Sequence, residues 1–271
     1  MFQPKLIASS VFFVTIAAAL LCSADGKPAA PLVRKNEIKL FVTAANAEQA
    51  MKALKLDEHK ARKRTVIFFD TGDRSLAANH LILRARQQGK GGRGDSTVKL
   101  RVHDGATELS DAELAIQPEQ DWTNENVATL SRSKDRESLA KGLVSQVIAG
   151  QLAMADLFDE EQHELVAGRM KDFNWADLRL YGPVEADVWK QQWKLDGFPE
   201  DMTVELWHLQ KEGKQQDILE VSANAKAETE EQAKELARRF FAAAKAAGMG
   251  EPTGQTKTQM VLDFYQPGAA P

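Results

Sequence analysis

The stretch LILRARQQGKGGRGDSTVKLRV, residues 81–102, sets Arg84 and Arg86 two apart and, after a glycine-rich connection, Lys99 and Arg101 two apart. Alternate residues of a strand share a face, so two such segments joined as a hairpin bring four cations onto one surface. Like charges opposite each other in a hairpin repel. Guanidinium forks match pairs of phosphate oxygens, so a bound polyanion would give this arrangement a reason. The ordinary alternative is a half-buried antiparallel sheet whose polar face is polar because water covers it.

Other segments carry the same alternation. In NEIKLFVTA, Glu37, Lys39 and Phe41 oppose Ile38, Leu40 and Val42. RTVIFFDT predicts a second strand, stopped by the turn TGDRS, and QQGKGGRGD predicts a long hairpin loop. ADLRLYGPVEADVWKQQW pairs Arg179 with Tyr181 and Glu185 with Asp187; DMTVELWHLQ pairs Glu205 with Trp207; DILEVSA aligns Ile218, Glu220 and Ser222. Cations gather on some of these faces and carboxylates on others, and a closed barrel would strengthen their pull on an anion by limiting water.

Helical spacing marks NAEQAMKALKL from near Asn46, DRESLAKGLVSQVIAGQLAMADLF, EEQHELVAGRMKDF and ETEEQAKELARRFFAAAKAAG, with SKDRES as a solvated helix start. KTQMVLDFY reads as a late strand. The order of strands, helices, strands and helix predicts an α+β fold. Its sheet would be an antiparallel closed or nearly closed β-barrel, a tunnel of about eight strands, with helices packed outside or over an end.

The chain has 271 residues and a formal net charge of −4, with 43% hydrophobic and 27% charged residues. That balance gives no footprint for nucleic acid. Lys5, the apolar run at residues 6–21 and the following CSADGKPAA describe a secretory signal peptide cleaved after Ala24. The run is shorter than a membrane span of about 20 residues. An uncleaved anchor and a lipid-modified Cys22 are the alternatives. Cys22 is the only cysteine, so a mature chain would have no disulfide, thiolate nucleophile or cysteine-bound zinc. The expected layout is a signal peptide at 1–24, a linker at 25–35, a tunnel domain at 36–249 and a tail at 250–271. The expected location is periplasmic or secreted, with no stable membrane association after cleavage.

NEIKLFV, VIFFDTGDRSLAANHLILRAR and STVKLR, followed by helices and late acidic strands, resemble the CYTH domain, also called the triphosphate tunnel metalloenzymes. The resemblance runs from about Asn36 to Met249. It implies a tunnel in which basic side chains hold a triphosphate and carboxylates hold Mg²⁺ or Mn²⁺. Its members hydrolyse inorganic, nucleoside or thiamine triphosphates, or cyclise ATP. Carried onto this sequence, it makes Lys39, Arg84, Arg86 and Lys99 phosphate ligands, and Glu37 and Glu220 metal ligands. Arg101 and Arg179, as further ligands of the anion, and Glu205, as a third metal ligand, could face the same interior.

Two positions depart from the family pattern. Lys35 stands at the first glutamate of the opening Glu-x-Glu-x-Lys, and Ser222 stands where a second late carboxylate is common. Two functions therefore remain open: a metal-dependent triphosphatase, and a non-catalytic protein that binds a triphosphate or polyphosphate-like anion. The sequence singles out no general base and no oligomeric state.

Several other motifs carry less. Arg93–Asp95 spells RGD at a hairpin tip, and GKGGRG lacks the spacing of a nucleotide P-loop. The five histidines show no paired metal spacing, although His103 near the basic hairpin could act as an acid or base. The tryptophans at 175, 189, 193 and 207 could stack a nucleobase, but packing in or around a barrel explains them more simply.

Overall fold

The computed structural model describes residues 35–42, 44–102, 109–192, 201–250 and 255–266. The expected signal peptide, His103 and Trp193 lie outside them. Nine strands close into a barrel: β1 (Lys35–Val42), β2 (Arg62–Asp70), β3 (Leu81–Gln88), β4 (Gly94–Val102), β5 (Pro118–Trp122), β6 (Ala128–Leu139), β7 (Arg179–Gln192), β8 (Asp201–Lys211) and β9 (Lys214–Ala225). Around the ring they run β1, β5, β6, β4, β3, β2, β7, β8, β9, and β9 pairs back with β1. Every neighbouring pair is antiparallel except β1 and β5, which are parallel. The predicted α+β barrel is therefore present, with nine strands and one parallel seam.

Among the described residues seven α-helices accompany it: α1 (Ala44–Ala53), α2 (Ser75–Ala78), α3 (Asp111–Ala115), α4 (Leu143–Ile148), α5 (Glu160–Arg169), α6 (Glu230–Ala246) and α7 (Lys257–Tyr265). Strand alternation decides where they pack. Ile38, Leu40, Val42, Val204 and Val221 face outward and are covered by Ala50 of α1, by Leu54 just after it, and by Ala237, Phe240 and Ala244 of α6. Thr229 caps α6 through its hydroxyl, which accepts from Gln232 N at 3.2 Å. Each fully buried phenylalanine there contributes about 2 kcal/mol of hydrophobic stabilisation. On another wall Ile67, Leu83, Ala85, Val98 and Leu100 face outward against α2, α4 and α5.

The FFDTGDRSL segment fixes the turn before β3. Asp70 is buried, and its carboxylate accepts from the amides of Thr71 (2.7 Å), Leu76 (2.9 Å) and Ala77 (3.1 Å). Tyr181 donates its hydroxyl to Thr71 O at 2.9 Å. This turn delivers the chain into β3 with Arg84 and Arg86 facing inward. Burial pushes the Asp70 carboxyl up, against the pull of those amides.

Four expectations need correction. KTQMVLDFY is α7, not a strand: Val261, Leu262 and Tyr265 are buried at helical spacing, and Thr256 caps the helix. SKDRES lies within β6, not at a helix start. The ladder to β4, with Thr97 opposite Asp135 and Lys99 opposite Ser133, outweighs its local helical character. The hairpin loop between β3 and β4 is shorter than expected, because Gly94 and Asp95 already belong to β4. Glu185 and Asp187 face the outside, where they meet Thr65, Lys63 and His208. A register shift between Val66 and Phe68 in the β2–β7 pairing reverses parity along β7.

α7 packs Val261, Leu262 and Tyr265 against inward residues Phe41, Phe68 and Trp207. Its position closes one end of the barrel, and Tyr265 anchors it there by donating to Pro183 O at 3.0 Å.

Candidate functional site

A cavity of about 350 Å³ runs inside the barrel. Nine basic and six acidic side chains line it among the described residues, an excess of three positive charges in a chain whose overall charge is −4. Those charges separate into three groups around the ring.

The first group joins inward side chains of β1 and β5 with those of β4, across the intervening β6. Lys39 contacts Glu37 and Asp121, each at 2.9 Å. Lys99 reaches Asp121 at 2.6 Å and Glu119 at 3.6 Å, and Lys35 also pairs with Glu119. Burial alone would raise the Asp121 carboxyl, but Lys39 and Lys99 outweigh it and hold the group far below the usual carboxylate range. The same contacts lift the Lys39 ammonium well above its ordinary value despite burial. Two of the predicted phosphate ligands are therefore already neutralised by a carboxylate from β5.

The second group is on β3 and β4. Arg86 Nε donates to Asp95 at 2.7 Å. Arg84 has no carboxylate partner among the described residues: Nη2 reaches Thr97 Oγ1 at 3.4 Å, and its buried Nε has no acceptor. Burial, with the Arg86 charge beside it, pulls the Arg84 guanidinium down to about 10. Arg101 also lines the cavity with no carboxylate pair among the described residues, and burial lowers it too.

The third group is acidic and lies beside α7. Glu205 and Glu220 stand directly opposite each other on β8 and β9. Arg64 Nη1 donates to Glu205 Oε1 at 2.8 Å, and Trp207 Nε1 donates to Glu205 Oε2 at 2.9 Å. Lys257, the first residue of α7, bonds to Glu205 Oε2 and approaches Glu220 Oε1 at 2.7 Å. Burial raises both carboxyls. Lys257 and Arg64 pull Glu205 back to about 2, whereas Glu220 stays above its ordinary value with Glu205 facing it.

Of the predicted binding residues, Lys39, Arg84, Arg86, Lys99 and Arg101 all line the cavity. Arg179 does not. It packs against Gly72 in a separate outer cleft, at the first residue of β7. Of the predicted metal residues, Glu205 and Glu220 meet, while Glu37 belongs to the lysine group on β1. Sequence reasoning missed Glu119, Asp121, Asp135, Arg64, Lys190 and Lys257. A two-residue spacing marks Glu119 with Asp121, and Arg64 shares parity with Phe68; Lys257 carries no local signal. Trp175 and Trp189 pack in outer clusters, and Trp207 alone of the described candidate tryptophans lines the cavity.

Among the described residues no three or more His, Cys, Asp or Glu side chains form a metal cluster. A Mg²⁺-type ion is commonly held by one or two carboxylates, with phosphate oxygens and water completing its shell. The Glu205–Glu220 pair fits that requirement, because Glu220 Oε2 is buried with no hydrogen-bond partner.

The CYTH domain family model matches residues 34–258. No curated protein matches the chain. Among solved structures, a Hippeastrum protein named for adenylyl cyclase activity, in which triphosphatase activity is described as dominant, superposes with a TM-score of 0.54 at 17% identity, covering 85% of this chain and 95% of that one. A Bacillus halodurans protein named as an adenylate cyclase gives 0.53 at 14% identity, covering 83% and 97%. At these identities the likeness concerns the fold. With a family match over most of its length and a charged tunnel closed by nine strands, the chain belongs to the CYTH domain family.

Proposed function

We propose that this protein binds inorganic triphosphate, or another anion containing a polyphosphate, along its tunnel and hydrolyses it with Mg²⁺ or Mn²⁺ held by Glu205 and Glu220. The observation that carries this reading is Arg84, an enclosed guanidinium with no carboxylate partner among the described residues. A buried charge without a counter-ion is costly, and a phosphate chain would supply the missing oxygens. The triphosphatase activity described for the Hippeastrum protein points the same way.

Arg84, Arg86 and Arg101 would donate to phosphate oxygens and offset the charge that builds as a phosphate leaves. Lys39 and Lys99 would trade part of their contact with Asp121 for the ligand. Glu205 and Glu220 would hold the divalent ion, which would supply charge neutralisation and orient the phosphate for water attack.

A second reading, non-catalytic polyanion binding, is favoured by Lys257, whose ammonium already neutralises that pair. The two separate when inorganic triphosphate, ATP and long-chain polyphosphate are titrated with and without Mg²⁺ or Mn²⁺ while binding heat and phosphate release are followed. Metal-dependent release supports hydrolysis; binding without release under either metal leaves the second reading; no binding removes both. The reading also includes export to a periplasm or beyond the cell. N-terminal sequencing of the secreted product should find Asp25 first, and an intact Met1 would refute cleavage.

A further inference from the structure

Two carboxylates directly opposite on neighbouring strands repel unless a cation lies between them. Here that cation is part of the chain. Lys257 Nζ bonds to Glu205, stands 2.7 Å from Glu220 Oε1 and lies 4.2 Å from the Trp207 ring centroid. Its side chain is 14% exposed, and the two glutamates are 10% and 4% exposed. A cation enclosed by two carboxylates and an aromatic face is strongly held.

Helix electrostatics would not select this residue. Lys257 opens α7, and the start of a helix carries partial positive charge that disfavours a cation. Its place is explained by the acidic pair instead. The pair has spare capacity, since Glu220 Oε2 is buried with no partner. A divalent ion bridging these carboxylates would need the position that the ammonium fills.

We propose that Lys257 and a divalent cation are alternative occupants of one position between Glu205 and Glu220, so that Lys257 sets how tightly the tunnel holds metal. The inference deepens the proposed function and rests on it for the identity of the ion, but its test needs no phosphate ligand. If the ammonium leaves the pair free no more than about a tenth of the time, apparent metal affinity falls about tenfold.

The test is a Mn²⁺ titration of the ligand-free full chain, read by electron paramagnetic resonance, for wild type, Lys257→Gln and the double variant Lys257→Gln/Glu220→Gln. Lys257→Gln should bind Mn²⁺ about tenfold more tightly than wild type, and the added Glu220→Gln should abolish that gain. Equal or weaker binding by Lys257→Gln, or no binding by either protein, overturns the proposal.

Because the variant could loosen α7, a second measurement uses wild type alone. Acetylation of Lys257 by an amine-acylating reagent, followed by peptide mass spectrometry, should accelerate at saturating Mn²⁺ while Lys39 and Lys99 stay unchanged. An unchanged Lys257 rate also overturns it. Failure of triphosphate binding would leave both results standing, so the two proposals fall separately.

Discussion

Replacing Arg84 with methionine should stabilise the ligand-free protein and weaken its hold on triphosphate. The guanidinium is charged at neutral pH, although burial and the Arg86 charge lower it from its ordinary value to about 10. A base whose folded value lies below its unfolded value destabilises the fold at every pH below the folded value. That penalty fades as pH rises from about 10 toward the ordinary arginine value. At about 1.4 kcal/mol per pH unit its ceiling is about 3 kcal/mol, and tunnel water reduces it to about 1–2 kcal/mol. Methionine keeps the apolar stem and gives up one 3.4 Å contact to Thr97. In a domain of this size the melting temperature should rise by about 3–6 °C.

Binding should move the other way. Two charge-assisted hydrogen bonds at about 1.5–3 kcal/mol each imply affinity lower by on the order of a hundredfold or more. Scanning calorimetry with and without inorganic triphosphate, paired with a calorimetric titration, measures both. A ligand-free variant that melts below wild type, or a variant with unchanged affinity, would refute the reasoning.

Arg179→Ala should leave triphosphate affinity unchanged in the same titration, because Arg179 stands in the outer cleft. Asp121→Asn should cost about 3 kcal/mol in urea unfolding, since it breaks a buried pair, yet bind triphosphate more tightly through the released Lys39 and Lys99. Weaker binding would show that Asp121 does not compete with the ligand. Asp121 and Glu205 sit below the ordinary carboxylate range, so their pairs stabilise the fold above about pH 4. That contribution should be lost as pH falls toward about 2 for Glu205 and lower for Asp121. Circular dichroism should show a shallower acid limb in Asp121→Asn; an identical limb would contradict the assignment.

Period-two alternation made much of the tunnel legible. Arg84 with Arg86, Lys99 with Arg101, and Glu37 with Lys39 each share an inward face because nothing interrupts parity within their strands. Glu185 and Asp187 face outward because of the register shift opposite Val66 and Phe68, which is a property of the pairing. Arg179 was misplaced because it opens β7 beside the Gly72 turn, past the end of the tunnel. β5 is only five residues long and pairs in parallel with β1, so Glu119 and Asp121 were missed as counter-ions. SKDRES has the charge pattern of a solvated helix, and only its ladder to β4 makes it a strand. Lys257 was hidden most deeply, because its role depends on where α7 docks.

Much of the hydrocarbon of this fold sits on the outer surface of the ring in two patches, the α6 and α5 walls, which share no member, and a third cluster lies inside the end that α7 closes. Away from the α7 end, folding free energy arises outside and ligand chemistry inside, with the backbone ladder as the partition between them. Substitutions in the two outer patches should be nearly additive. Residues along the axis can change charge, and with it the anion accepted, without dismantling the scaffold.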